Sequence, residues 1–113
     1  METSKYTLAQ VAKTIDSALL KPEMTIAEVI AGCEMAKKYH VASICCRPAD
    51  VALVAEQLKG SDVLVGTVVG FPHGSSSTKV KVFETALAVE EGAVEIDMAV
   101  SYTHLTLPTI LRV

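Results

Sequence analysis

VLVGTVVGFPHGSSSTKVKVFETALAVEEGAVEIDM, residues Val63 to Met98, contains the pattern that decides the fold. Val63 to Val69 is a nearly unbroken apolar run of strand length, as expected of a strand buried on both faces. Gly70-Phe-Pro-His-Gly74 and three serines follow as a loop. Thr78 opens a helical pattern through Val80, Phe83, Ala86 and Leu87 that stops at Gly92. Val94-Glu-Ile-Asp-Met98 then resumes as a strand. Upstream the same unit recurs. Thr25 and Glu28 have capping-box spacing, and Ile26, Val29, Ile30 and Cys33 recur at helical intervals, predicting a helix from Ile26 to Tyr39. Val41-Ala-Ser-Ile-Cys-Cys46 reads as a buried strand closed by Arg47-Pro48. Asp50 offers a cap for a helix with Val51, Val54, Ala55 and Leu58 on one stripe and Gly60 as its stop. A short strand at Thr14 to Ser17 follows an opening helix. Helix and strand therefore alternate to give an α/β class of about four parallel strands with intervening helices that cover the sheet.

Composition narrows the functional classes. The chain has 113 residues, half of them hydrophobic, which fits one small domain or part of a larger one and excludes disorder. A net charge of -3 without a block of basic residues argues against nucleic acid as a partner. The most apolar run, Val63 to Phe71, is far short of the roughly 18 residues that span a bilayer, so no membrane partner is expected. Met1-Glu-Thr-Ser-Lys5 lacks the charged start and apolar core of a signal peptide, which makes the cytosol the expected compartment. Cys33, Cys45 and Cys46 are odd in number and lack CxxC spacing, giving no support to a disulfide framework or a tetrahedral zinc site.

The last residues break the pattern. Val100 to Thr109 is the translation of GTC TCT TAT ACA CAT CTG ACG CTG CCG ACG, the reverse complement of a widely used transposase-type library adapter. A preceding CT completes a codon for Ala99, and the adapter continues through an index to GTG TAG, which supplies Val113 and a stop. The expected division is thus 1–98 as native sequence and 99–113 as a non-native, adapter-derived tail. Tyr102 and His104 then carry no functional meaning.

Four segments together resemble the deoxyribose-phosphate aldolases, class I aldolases built on a TIM barrel. They are Ile15-Asp-Ser-Ala-Leu-Leu-Lys-Pro22, Ala42-Ser-Ile-Cys-Cys-Arg-Pro48, Gly66-Thr-Val-Val-Gly-Phe-Pro-His-Gly74 and Glu91-Gly-Ala-Val-Glu-Ile-Asp-Met98. Each lies at or beside an expected strand, in the family's order. The resemblance implies the N-terminal half of a (β/α)8 barrel. Its parent would cleave 2-deoxyribose 5-phosphate reversibly into glyceraldehyde 3-phosphate and acetaldehyde through a lysine Schiff base. It further implies a sugar phosphate as the small-molecule partner and no metal or organic cofactor, and it is compatible with a homo-oligomeric parent. The family's Schiff-base lysine on the sixth strand and relay lysine on the seventh match no lysine here. This chain alone is therefore expected to be inactive.

By the resemblance, Asp97 is the aspartate that shuttles protons with an active-site lysine. Asp16 lines the same pocket and supports that relay, and Cys45 faces the pocket. The residues themselves leave more open. An acid inside a barrel strand usually serves the site, but Glu95 has the same parity as Asp97, and either could belong to a structural ion pair. Asp16 could be a turn former beside a strand. Cys45 and Cys46 could both be small buried hydrophobes, and strand alternation sends them to opposite faces. His73 is read as a loop-shaping residue. Ser17 and Ala18 stand where the family usually has His and Thr, so by the resemblance an imidazole and a hydroxyl near the pocket are absent. The competing reading is a small non-catalytic βα binding or regulatory module.

Overall fold

The structure, a computed structural model, describes residues 5–101. The reading of residues 1–4 and the greater part of the expected tail, 102–113, lie outside the described residues. The element order is α1 (Leu8–Ala12), β1 (Asp16–Leu19), α2 (Ile26–Tyr39), β2 (Ser43–Cys46), a 3-10 turn (Pro48–Asp50), α3 (Val51–Gln57), β3 (Leu64–Val69), α4 (Thr78–Glu91) and β4 (Glu95–Met98). The four strands form one parallel sheet in the order β1-β2-β3-β4.

Sequential order has a geometric consequence. Right-handed crossovers that always step to the next strand in one direction place every crossover helix on the same face, which is the construction of a barrel wall. The helices therefore cover one face and leave the other uncovered, as half of a barrel should. On the helix side, Leu19, Ile44, Cys46 and Val65 pack with Val29, Cys33 and Ala36 of α2, Val51 and Val54 of α3, and Ala88 of α4. Val29, Ile44, Val51 and Val54 are fully buried. Each such side chain stabilises the fold by about 1.5–3 kcal/mol relative to exposure. The opposite face bears Asp16, Leu64, Glu95 and Asp97, all exposed.

The local signals act as expected at α2, where Thr25 Oγ1 accepts the Glu28 N–H at 3.2 Å and the Glu28 carboxylate accepts the Thr25 N–H at 2.8 Å. Two expectations are corrected. β1 starts two residues later than Thr14, because Thr14 and Ile15 donate their N–H groups to Val11 and Ala12 in the turn closing α1. Asp50 occupies the N-cap position of α3 but makes no capping bond. Its carboxylate is taken by Arg47 Nε at 2.6 Å, a stronger charge-assisted partner than a backbone N–H. At the end of β4, Ala99 still donates its N–H to the Val69 carbonyl at 2.8 Å, so the ladder continues one residue past Met98.

Candidate active site

Strand alternation decides which side chains meet. The register sets Asp16 beside Ser43, Ala18 beside Cys45, Cys45 beside Gly66 and Val68 beside Asp97, all facing away from the helices. Ligand atoms of Asp16, Cys45 and Asp97 lie within 4.8 Å of one another. The three residues expected from the sequence thus form one cluster drawn from β1, β2 and β4. Cys46, one residue on, sits in the helix-side core with no exposed surface, as alternation requires.

Of the two acids on β4, Asp97 is the one that joins the cluster. Cys45 Sγ donates to Asp97 Oδ2 at 3.8 Å, whereas Glu95 is no part of the grouping. Glu95 shares the face beside Gly66, whose missing side chain leaves room for it. Ser43, which the sequence reading passed over, donates its hydroxyl to Asp16 Oδ1 at 2.7 Å and fixes that carboxylate. Its signal was present: Ser43 has the parity of Cys45 and so had to face the same way.

Burial pushes the Cys45 thiol up to about 11, and the carboxylates of Asp16 and Asp97 add to the effect. At neutral pH it is a protonated donor rather than a thiolate nucleophile. Two carboxylates and one thiol are a mixed hard and soft donor set, and in the structure the thiol proton is donated in a hydrogen bond to Asp97. Two exposed carboxylates beside a protonated thiol can hold and pass protons on a partly open surface. Asp16 and Asp97 are both exposed, so a reacting group can reach them, while Cys45 is only 5% exposed and forms the floor.

The other highlighted residues lie outside the cluster. His73 is exposed in the loop between β3 and α4. Ser17 is half-buried and shares the helix-side parity of Leu19, while Ala18 is exposed on the cluster side, where a Thr hydroxyl would face the site. Among the described residues, no helix is long and apolar enough to cross a membrane.

No family model matches the chain. It is 50% identical over 105 residues to a deoxyribose-phosphate aldolase of Treponema denticola, covering 93% of this chain and 45% of that protein. It is also 50% identical over 91 residues to a deoxyribose-phosphate aldolase of a Geobacillus species, covering 80% of this chain and 41% of that one. Among solved structures, the tetrameric deoxyribose phosphate aldolase of Aeropyrum pernix superposes with a TM-score of 0.81 at 27% identity, over 86% of this chain and 42% of that one. The aldolase QR15 gives 0.74 at 35% identity, over 78% of this chain and 39% of its own. The chain spans less than half the length of the curated relatives it matches.

Proposed function

Over most of its length the chain belongs to the deoxyribose-phosphate aldolase family, and on that premise we propose that it carries one part of an aldolase site completed by the remainder of a (β/α)8 barrel. The parent enzyme reversibly cleaves 2-deoxyribose 5-phosphate into glyceraldehyde 3-phosphate and acetaldehyde. The observation that carries this reading is the convergence of Asp16, Cys45 and Asp97 from three strands onto the uncovered face.

The chemistry is a retro-aldol reaction. A neutral lysine amine, supplied by the part of the parent this chain does not include, adds to the aldehyde carbon of the open sugar, and water leaves to form an iminium. A base takes the proton of the sugar hydroxyl, the carbon–carbon bond breaks, and its electron pair moves into the iminium to give an enamine and glyceraldehyde 3-phosphate. The enamine carbon then takes a proton, and water releases acetaldehyde and the free lysine. Asp97, with a second lysine and water, moves these protons, a role for a carboxylate that substrate can reach. Asp16, held by Ser43, sets the charge on the same proton path. Cys45 forms the floor and keeps the Asp97 carboxylate turned toward the pocket.

Residues 1–98 are the aldolase part in this reading and 99–113 the adapter-encoded tail. The parent works in the cytosol on a sugar phosphate, without a metal or organic cofactor, as a homo-oligomer.

The test is borohydride trapping with acetaldehyde. A chimera of residues 1–98 with the part of the Treponema denticola relative that they do not match is expected to trap one equivalent on a lysine outside residues 1–98. The 113-residue chain alone should trap none. A stoichiometric adduct on one lysine of the chain alone, or none on the chimera, would refute the reading.

A further inference from the structure

α4 carries an apolar stripe that neither the core nor the site uses. Its inner line is accounted for. Ala88 is buried in the core, Lys81 Nζ donates to the Gly74 carbonyl at 2.8 Å, and Glu84 Oε1 accepts the Gly70 N–H at 2.7 Å. At about 3.6 residues per turn, Val82 and Val89 lie on one flank of that line and Val80, Phe83 and Leu87 on the other. Val80, Phe83 and Leu87 border a groove whose far wall is Pro48 and Ala49, in the turn that leads into α3. All three are exposed, Phe83 by 70%.

The two flanks have different fates in a closed barrel. The crossover helix that follows β4 packs on the side away from α3, so it covers Val82 and Val89. On the other flank the neighbouring helix is already in place: a Cβ at Gly92 would lie 2.8 Å from Ala55 Cβ of α3. No further element of the barrel comes between two adjacent crossover helices. Val80, Phe83 and Leu87 therefore stay on the outside of the completed parent, and an exposed apolar patch centred on an aromatic side chain marks an interaction surface.

Charge identifies the partner. Lys79 and Glu90 stand at opposite ends of the stripe, about 16 Å apart along the helix axis, and both are exposed. Among the described residues neither has an ion-pair partner. A surface that is positive at one end, apolar in the middle and negative at the other is complementary to itself when a two-fold axis turns it end for end. Resting on the barrel completion in the aldolase reading above, we propose that this stripe is an isologous interface whose occupant is a second copy of the parent. The two α4 helices pack antiparallel, with Lys79 against Glu90 of the partner subunit and Phe83 against Leu87 of the partner subunit. A parallel pairing would set Lys79 against Lys79 of the partner subunit, and like charges brought together oppose association.

The experiment is sedimentation velocity of the chimera over a range of concentrations, with turnover of 2-deoxyribose 5-phosphate as a second readout. The chimera is expected to associate. Phe83→Asp, at the centre of the stripe, should raise the dissociation constant by about tenfold or more. Lys79→Glu and Glu90→Lys should each weaken association as well, because the symmetry sets like charges together twice. Lys79→Glu combined with Glu90→Lys exchanges the two ends and should restore the dissociation constant to within about threefold of the original. The three positions are exposed in the single copy, so far-ultraviolet circular dichroism should be the same for every variant and separates lost association from lost folding. A chimera that stays monomeric overturns the proposal and leaves the stripe to a partner of another kind. An assembly that Phe83→Asp leaves intact uses another surface and overturns it too, as does a double exchange that fails to recover what the single changes remove. An inactive chimera that associates and responds as expected would sink the aldolase reading and leave the interface, whereas an active monomer would sink the interface alone.

Discussion

Replacing Arg47 by Leu should expose how much of the fold depends on one partly buried ion pair. Arg47 Nε donates to Asp50 Oδ2 at 2.6 Å, and its Nη1 donates to the carbonyls of Pro22 at 2.9 Å and Lys21 at 3.3 Å. The guanidinium thus joins the segment after β2 to the loop between β1 and α2. The side chains of Arg47 and Asp50 are 21% and 10% exposed, so the pair is neither a surface contact nor fully dry. Removing one partner of a fully buried pair costs about 3–5 kcal/mol, because the other charge is stranded. Partial exposure lowers that, and the two freed carbonyls can take up water, so Arg47→Leu should cost about 2–3 kcal/mol. Arg47→Leu combined with Asp50→Leu removes both charges and should cost no more than the single change, giving a coupling energy above about 1 kcal/mol. Urea unfolding of the 113-residue chain, followed by far-ultraviolet circular dichroism, measures all four corners of this cycle. A loss below about 0.5 kcal/mol for Arg47→Leu, or a double variant that loses the simple sum, would refute the reasoning.

Three further outcomes are expected. Ile44→Ala, at a fully buried position on β2, should lower stability by about 2–5 kcal/mol in the same assay. Burial, with help from neighbouring carboxylates, holds the thiols of Cys45 and Cys46 up to about 11 and about 12 against an ordinary value of 9.0. The folded chain then binds more protons than the unfolded one, so this stabilisation is complete below about pH 9 and is lost as pH rises through those values; urea midpoints should fall across that range, and less steeply in Cys46→Ala. Hydrogen bonds from Lys13 and His40 hold Asp62 down to about 2 from 3.8, so its contribution is present above the ordinary value and is lost as pH falls toward 2. In Asp62→Asn the acid limb of the midpoint–pH curve should flatten, and salt should weaken the effect in the parent chain because the pair is exposed.

The elements were legible because their signals are local. The capping box of Thr25 and Glu28 begins α2, and Gly92 ends α4 with a φ of 118°. Side-chain alternation separated Cys45 from Cys46 before any contact was known. What remained hidden depended on contacts between distant segments. Parity alone gives Asp97 and Glu95 the same face, and only the parallel register shows which of them reaches Cys45. Asp50 has the composition of a cap, yet Arg47 takes its carboxylate. Nothing near Glu84 or Lys81 in the sequence indicates that their partners are Gly70 and Gly74, because those bonds cross from a helix to the loop before it. The exposure of Leu64 on the face away from the helices could not be read from strand hydropathy, since Leu64 looks as apolar as its buried neighbours Val63 and Val65.

The central claim is that Asp97 is the proton-transferring carboxylate of an aldolase site, and the turnover of 2-deoxyribose 5-phosphate by the chimera tests it most directly. Asp97→Asn keeps the shape of the side chain and removes its basicity, so kcat should fall by about a hundredfold or more, the contribution typical of a positioned acid–base group. Glu95→Gln, on the same face but outside the cluster, should leave kcat within about threefold, well under that contribution. Normal turnover in Asp97→Asn, above all alongside a large loss in Glu95→Gln, would contradict the assignment.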